Sequence, residues 1–358
     1  MCGILVYHNG QKEDTCDLSI DFEGSEENTV DNVQSKLQSL QNIEDIFVQE
    51  SKYVIRRGPN YSGFMTLNNG KTMLLSSVLS LRAPFVKQPI QNKRFVVQYN
   101  GELYNKEIRI DNNDTKFISD LLNNISSDKD DVEAEVIEII RSMKGEFAYN
   151  IIDNKTSNIY FGRDSIGKRS LSYCFLKDRQ ELVVTSCNGS DIEEVYKSGF
   201  VNCLNNVIYV YNRTSNVLRD DLNIISNPYS VMEGVIEGEE EVKNLEKTLY
   251  EKLKESCYRR LINIHPLDQN ENSKINVGLL FSGGLDCSLI LIILCQCIIE
   301  HNLIDNFCLN LLNVAFENPR TSMQPDDVPD RKLGMKSYSE ISEQFPRLNI
   351  KFHKINVS

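Results

Sequence analysis

Short apolar runs dominate the first part of the chain. Up to about residue 220 they recur at 4–7, 62–67, 73–79, 95–99, 147–152, 159–162, 182–185 and 207–210, each of strand length. Turn residues such as Asn68-Asn69-Gly70 and Asp153-Asn154 separate them. Two stretches carry a helical period instead. Val30, Val33, Leu37, Leu40 and Ile43 fall on one face, as do Val132, Val136, Ile139, Ile140 and Met143. Strands with helices to cover their faces predict two packed sheets sandwiched between helices.

The pattern changes near Asn227. Pro228, Gly234, Gly238 and the run Glu239-Glu240-Glu241 mark a boundary. This gives a first domain over 1–225, an acidic linker over 226–241 and a second domain over 242–358. Beyond the boundary, Leu245, Leu249, Leu253 and Cys257 stack at i, i+4 in a helix expected over 241–262. A polar loop (268–273), an apolar strand (277–281), a glycine turn and an apolar helix from Leu285 follow. A second strand is expected around 308–316, a helix around 336–344 and a last strand near 350–355. Strand, helix and strand in alternation indicate a parallel α/β sheet.

Composition narrows the function classes. The 358 residues are 41% hydrophobic and 25% charged, the balance of a globular chain. A net charge of -12 argues against a nucleic-acid or anionic-membrane surface, since both need a basic face. No signal peptide is readable, and the longest apolar run, 289–299, is interrupted by Gln296 and too short to span a bilayer. Ten cysteines without a CxxC pair or zinc spacing read as reduced thiols, so the expected address is the cytoplasm.

The strongest chemical signal is Cys2, behind a removable Met1 and ahead of Gly3-Ile4. Once Met1 is trimmed, a thiol and an α-amine share one carbon. The unperturbed amine titrates near ~8, so at neutral pH it can accept the thiol proton. Further along stand Arg56-Arg57-Gly58-Pro59-Asn60, Asn100-Gly101-Glu102-Leu103-Tyr104-Asn105, Asn113-Asp114-Thr115, the segment 145–153 and Gly162-Arg163-Asp164. In an Asn-Gly turn, the Asn100 amide and the Gly101 N–H can point at one oxygen, which suits a developing oxyanion. Glycine also permits the positive φ of such a turn. Arg57 offers a planar fork for a carboxylate, and Glu102 and Asp114 offer negative charge for an ammonium group. Taken singly, these residues also fit a hairpin turn, a surface ion pair and a solvated acidic face. Behind Cys2, in this order, they read as one site. His8, His265, His301 and His353 stand in no nucleophile context, which argues against a papain-like Cys/His pair.

The ordered motifs resemble the glutaminase domain of class II amidotransferases, an N-terminal-nucleophile fold with helices on two packed antiparallel sheets. The resemblance implies glutamine hydrolysis at Cys2, with Asn100 and Gly101 as the oxyanion hole. It also implies that Arg57, Asn100, Gly101, Glu102 and Asp114 hold the glutamine.

A second constellation runs from Val277 to Ser288 and contains Phe281-Ser282-Gly283-Gly284-Leu285-Asp286-Cys287. A strand ending in Ser-Gly-Gly and opening a helix makes a cradle of N–H groups suited to phosphate oxygens. The lysine and longer spacing of a Walker A loop are absent. The segment resembles the SGGxDS loop of ATP pyrophosphatases, with Cys287 in place of the usual final serine. The resemblance implies ATP at Phe281, Ser282, Gly283, Gly284, Asp286 and Val314, with Mg²⁺ on Asp286.

A glutaminase followed by this loop resembles asparagine synthetase. The segments 162–171, 314–319 and 328–331 resemble the asparagine synthetase domain-containing branch of that family. Asparagine synthetases continue beyond this point with a second Ser-Gly-x-Gly loop and an essential lysine, and neither is found before Ser358. A fragment, or a reduced second domain forming roughly half a parallel sheet, is expected; its apolar edge would call for a homo-oligomer or protein partner. Two readings follow. One is an enzyme that hydrolyses glutamine and passes ammonia to an ATP-activated carboxylate, by resemblance aspartate. The other is a non-catalytic or regulatory protein that keeps the fold to bind glutamine, nucleotide or a protein partner.

Overall fold

The computed structural model describes residues 2–108, 112–126, 128–190, 192–226, 238–264, 274–317, 320 and 323–357. The chain divides into two compact units, Met1–Val231 and Met232–Ser358. Residues 227–237 of the expected linker, and His265, lie outside the described residues.

The first unit opens with β1 (Gly3–Asn9), β2 (Ser19–Glu23), β3 (Tyr61–Leu67), β4 (Thr72–Val78), β5 (Ile90–Gln91), β6 (Phe95–Leu103) and β7 (Gly145–Asp153). It continues with β8 (Asn158–Arg163), β9 (Ser172–Leu176), β10 (Glu181–Thr185), β11 (Val201–Asn202), β12 (Val207–Asn212) and β13 (Val217–Asn223). Its helices are α1 (Gly24–Glu27), α2 (Val30–Ser39), α3 (Asp45–Ile55), α4 (Asp114–Asn123), α5 (Glu133–Ser142) and α6 (Glu194–Gly199). The strands form two sheets, ordered β11-β9-β10-β1-β4-β3-β2 and β13-β12-β8-β7-β6-β5, and their strands pair antiparallel.

β1 explains the layering. Its Gly-Ile-Leu-Val-Tyr core has no polar alternation because both of its faces are covered. Ile4 and Val6 share a layer with Val96, Ala148 and Ile152 of the other sheet. Leu5 and Tyr7 share a different layer with Val33, Leu37, Phe47 and Val54 of α2 and α3. On the far side, Val97, Tyr99 and Tyr149 pack with Ile118, Leu122, Val136 and Ile140 of α4 and α5. The order is therefore helices, sheet, sheet, helices. One polar pin crosses the inter-sheet layer: Gln98 Nε2 donates to the carbonyls of Leu5 (3.2 Å) and Leu75 (2.9 Å), and Asn150 Nδ2 donates to Gln98 Oε1 (3.0 Å). A satisfied buried amide of this kind fixes the register of the two sheets.

The helical stripe expected over 30–43 stops early. α2 closes at Ser39, and Asn42 follows in the left-handed region at φ 63°. Leu40 and Ile43 still pack on the core, but from the loop. The turn Asn68-Asn69-Gly70 is present between β3 and β4, with φ of 58°, 56° and 77°.

The second unit contains α7 (Glu239–Ile262), β14 (Ile275–Leu280), α8 (Leu285–Glu300), β15 (Phe307–Phe316), α9 (Pro329–Gln344) and β16 (Ile350–Val357). Its three strands run parallel in the order β14-β15-β16. Val277, Leu309 and Leu311 form its core with Leu261, Leu291, Leu294, Ile298 and Ile341. α9 begins at Pro329 rather than near Lys336, because a proline with its fixed φ suits the first helical position. Among the described residues no helix is long and apolar enough to cross a membrane.

Candidate active site

Gly3 starts β1 in a gap too narrow for any side chain. A Cβ there would lie 2.4 Å from Val54 O and 2.6 Å from Ser77 Oγ. The Gly3 N–H donates to Ser77 Oγ at 3.1 Å, and the Ile4 N–H to Ser186 Oγ at 2.8 Å. These bonds fix the backbone that carries Cys2. The Cys2 thiol lies 3.8 Å from the carbonyl of Leu79, and Cys2 O accepts a hydrogen bond from Arg57 Nε at 3.0 Å. Arg57 reaches this point because α3 ends at Ile55 and Gly58 then passes the backbone of β4, where a Cβ would lie 2.1 Å from Val78 N. Burial pushes the Cys2 thiol above its ordinary value; the bond to Leu79 opposes this, and Asp114 and Glu102 reinforce it. The thiol is therefore protonated at neutral pH until a base takes its proton.

Asn100 and Gly101 lie inside β6, opposite Ala148 and Phe147 of β7, so the expected Asn-Gly turn is an extended strand. Glycine is needed there for close approach rather than for a left-handed backbone: a Cβ on Gly101 would lie 2.2 Å from Glu146 O and 2.7 Å from Phe147 Cα. Strand alternation puts Asn100 on the face of Gln98, which bonds to Leu5, and of Glu102, which stands beside Cys2. The Asn100 side chain is buried, and neither its Nδ2 nor its Oδ1 has a hydrogen-bond partner. An idle buried amide is costly, so such a group asks for a ligand to explain it.

Cys2, Gly101, Glu102 and Asp114 line one pocket. The same pocket contains Arg82, which no motif in the sequence singles out. Arg82 Nη2 lies 3.2 Å from Glu102 Oε2 and donates to Leu103 O at 3.0 Å, and its Nη1 is 3.9 Å from Asp114 Oδ2. Asp114 is held by the start of α4: Thr115 N–H donates to Asp114 Oδ1 and to Asn113 Oδ1, both at 2.9 Å. Burial and the neighbouring Asp114 push Glu102 up to about 7, against the pull of Arg82. Burial also raises Asp114, although Arg82 and backbone N–H groups favour its ionised form.

The motif Gly162-Arg163-Asp164 organises the neighbouring wall. Asp164 carboxylate oxygens accept from the N–H groups of Phe147 (3.1 Å), Ile166 (3.0 Å) and Gly167 (2.8 Å). The loop this builds delivers Arg169 to Glu146 at 2.8 Å. Glu146 is the strand partner of Glu102, so a like-charged pair is flanked by Arg169 on one side and Arg82 on the other.

A glutamine amidotransferase domain family matches residues 79–189, a span that includes Arg82, Asn100, Gly101, Glu102 and Asp114. An asparagine synthetase domain-containing protein of Saccharomyces cerevisiae is 38% identical over 363 residues, covering 100% of this chain and 64% of its own. The chain is similar over its full length to an asparagine synthetase domain-containing protein and carries a stretch that matches a glutamine amidotransferase domain. Another protein of that name, from Drosophila melanogaster, is 25% identical over 370 residues, covering 84% of this chain and 62% of its own. A human one is 30% identical over 124 residues, or 34% of this chain and 18% of its own. The chain thus spans less than two thirds of the length of these relatives. Among solved structures, a glutamine phosphoribosylpyrophosphate amidotransferase from B. subtilis with ADP and GMP aligns over 98% of this chain and 90% of its own, at 13% identity and TM-score 0.38. The allosteric regulatory enzyme of purine biosynthesis aligns over 63% of this chain and 49% of its own, at 16% identity and TM-score 0.37. At scores this low the fold is read from the chain's own sheets.

The glycine loop of the second unit joins β14 to α8. Phe281, Ser282 and Val314 line a shallow groove with Asn313 at the carboxyl ends of β14 and β15. Gly283 has φ +83°, and a Cβ on it would lie 2.5 Å from Gly334 Cα, so the turn rests on α9. Gly284 caps α8. The Cys287 thiol turns back onto the loop, 3.4 Å from Gly284 O and 3.6 Å from Ser282 Oγ. Asp286 is exposed in the first turn of α8. Among the described residues no three His, Cys, Asp or Glu side chains gather into a metal-binding group.

Proposed function

We propose that the first unit is a glutaminase in which Cys2, made the amino terminus by loss of Met1, attacks the side-chain carboxamide of glutamine. A bond forms between Cys2 Sγ and the carboxamide carbon. The thiol proton passes to the α-amine and then to the departing nitrogen, which leaves as ammonia when the C–N bond breaks. Water then splits the thioester, giving glutamate and restoring the thiol. Asn100 Nδ2 and the Gly101 N–H are the donors for the oxyanion. Glu102 and Asp114 supply negative charge for the α-ammonium. One observation carries this reading: Cys2 shares a pocket with Gly101, Glu102 and Asp114, beside a buried Asn100 amide with both ends idle. The test is ammonia release from glutamine by the full chain and by Cys2→Ala. Release by the first alone is expected; equal release by both would refute the proposal.

The wider reading is an asparagine synthetase-like ligase that delivers ammonia to an activated carboxylate such as that of aspartate. ATP, which supplies the activation, would lie on Ser282-Gly283-Gly284 at the amino end of α8, whose first N–H groups suit phosphate oxygens. Phe281 and Val314 would flank the nucleotide from the groove they share. A single exposed carboxylate at Asp286 fits Mg²⁺ held jointly with phosphate oxygens, the usual manner of binding for that ion.

A further inference from the structure

Just past the end of β14, the Phe281 N–H donates to Leu312 O at 3.0 Å, continuing the parallel ladder by one step. The Phe281 carbonyl is then taken by a side chain. Asn313 Nδ2 donates to it at 2.8 Å and to Asp330 O in the first turn of α9 at 3.2 Å. Both N–H groups of this buried amide are thereby used, while its Oδ1 has no partner. Asn313 therefore acts through Nδ2 alone, tying the strand end to α9.

A second carbonyl is anchored two residues on. Gly283 O accepts from Ser337 Oγ of α9 at 2.9 Å and from Ser288 Oγ of α8 at 3.2 Å. Glycine on α9 makes room for these bonds: a Cβ on Gly334 would lie 2.7 Å from Asn313 Nδ2. In a trans peptide the N–H points opposite to the C=O. With the carbonyls of Phe281 and Gly283 turned toward Asn313 and Ser337, the N–H groups of Ser282 and Gly284 face away from them. Those N–H groups belong to the segment on which phosphate oxygens would rest. A glycine pair left free would lose much conformational entropy on gripping a ligand, and a loop already set loses little.

Resting on the nucleotide reading of this loop, we infer that Asn313 and Ser337 are positioning residues for the phosphate groups. They hold two loop carbonyls back, so that the loop N–H groups face the ligand before it arrives. Their side chains act on the loop and not on the base, so their effect belongs to the phosphates alone. A ligand that carries a pyrophosphate group should feel their loss whether or not it carries a base.

The test is calorimetric binding of MgATP and of magnesium pyrophosphate to the full chain and to two variants. Ser337→Ala removes a half-buried hydroxyl, and Asn313→Leu keeps the bulk of the side chain without its donors. Each should weaken both ligands by one common factor, about threefold for Ser337→Ala and about tenfold for Asn313→Leu. The ligand-free Ser337→Ala chain should unfold at the wild-type temperature, and Ser337→Thr, which keeps a hydroxyl, should restore binding. Wild-type affinity in both variants overturns the inference and leaves the nucleotide reading standing. Weakening of MgATP alone also overturns it, by making these residues base contacts. So does an affinity loss in Ser337→Ala that follows a fall in unfolding temperature, which would assign Ser337 to the fold. Should Asn313→Leu fail to fold, Ser337→Ala alone decides. A wild-type chain that binds MgATP but not pyrophosphate overturns the inference, because the loop would then not be what holds the phosphates. A wild-type chain that binds neither defeats the nucleotide reading and the inference together.

Discussion

The Nε–H of Arg57 donates to the carbonyl oxygen of Cys2 at 3.0 Å, across 55 positions of sequence. Together with the Ser77 bond to Gly3 N–H, it grips the nucleophile's backbone on both sides of one peptide. Arg57→Lys keeps the charge but loses the planar fork that makes this bond. Loosened positioning should lower kcat for ammonia release by ~10-fold or more, with KM for glutamine near the wild-type value. Steady-state kinetics check this. An effect confined to KM would make Arg57 a substrate contact instead.

Asn100 gives a sharper kinetic expectation, because its amide has no internal partner to lose. Asn100→Ala should lower kcat by ~10²–10³-fold, the usual effect of removing one oxyanion donor, and leave thermal unfolding close to wild type. Early melting with unchanged kcat would assign the residue to the fold.

The pH profile follows from Glu102. Burial, helped by Asp114 and Glu146 and opposed by Arg82 and Arg169, pushes its carboxyl up to about 7. A carboxyl must be ionised to receive an ammonium group. Thus kcat/KM for glutamine should rise with pH through about 7, and this limb should disappear in Glu102→Gln. A wild-type profile without that limb would contradict the assignment.

Stability has its own titrating group. Glu50 of α3 is fully buried, its Oε1 accepting from Gly189 N–H at 2.9 Å and its Oε2 without a partner. Burial pushes this carboxyl from 4.5 to about 7 in the folded chain. The folded value lies above the unfolded one, so the native state holds its proton longer, and stability falls as pH rises from about 4.5 to about 7. Glu50→Gln cannot ionise and keeps an acceptor for Gly189. It should exceed wild type by ~1–3 kcal/mol at about pH 8 and match it near about pH 4.5. Denaturant unfolding at the two pH values measures the difference.

What could be read from the sequence follows from burial. β1, β4, β6 and β7 are covered on both faces and appear as continuous apolar runs. β2 and β13 end their sheets and are mostly exposed, so no run announces them. α4 is hidden because its first residues, Asn113-Asp114-Thr115, look like site chemistry, and they serve as its cap as well. Cys2, Gly101, Glu102 and Asp114 were legible from the order of their motifs, and the fold brings them to one pocket. Arg82 was not, since a single arginine after Leu79-Ser80-Leu81 has no spacing partner. Its meaning comes only from two carboxylates carried in by β6 and α4.

The most direct measurement is peptide mass spectrometry after treating the full chain with an electrophilic glutamine analogue, with and without excess glutamine. The expected adduct sits on a peptide that begins at Cys2, and glutamine suppresses it. A retained Met1, or labelling that spares Cys2 while modifying other thiols, would contradict the account.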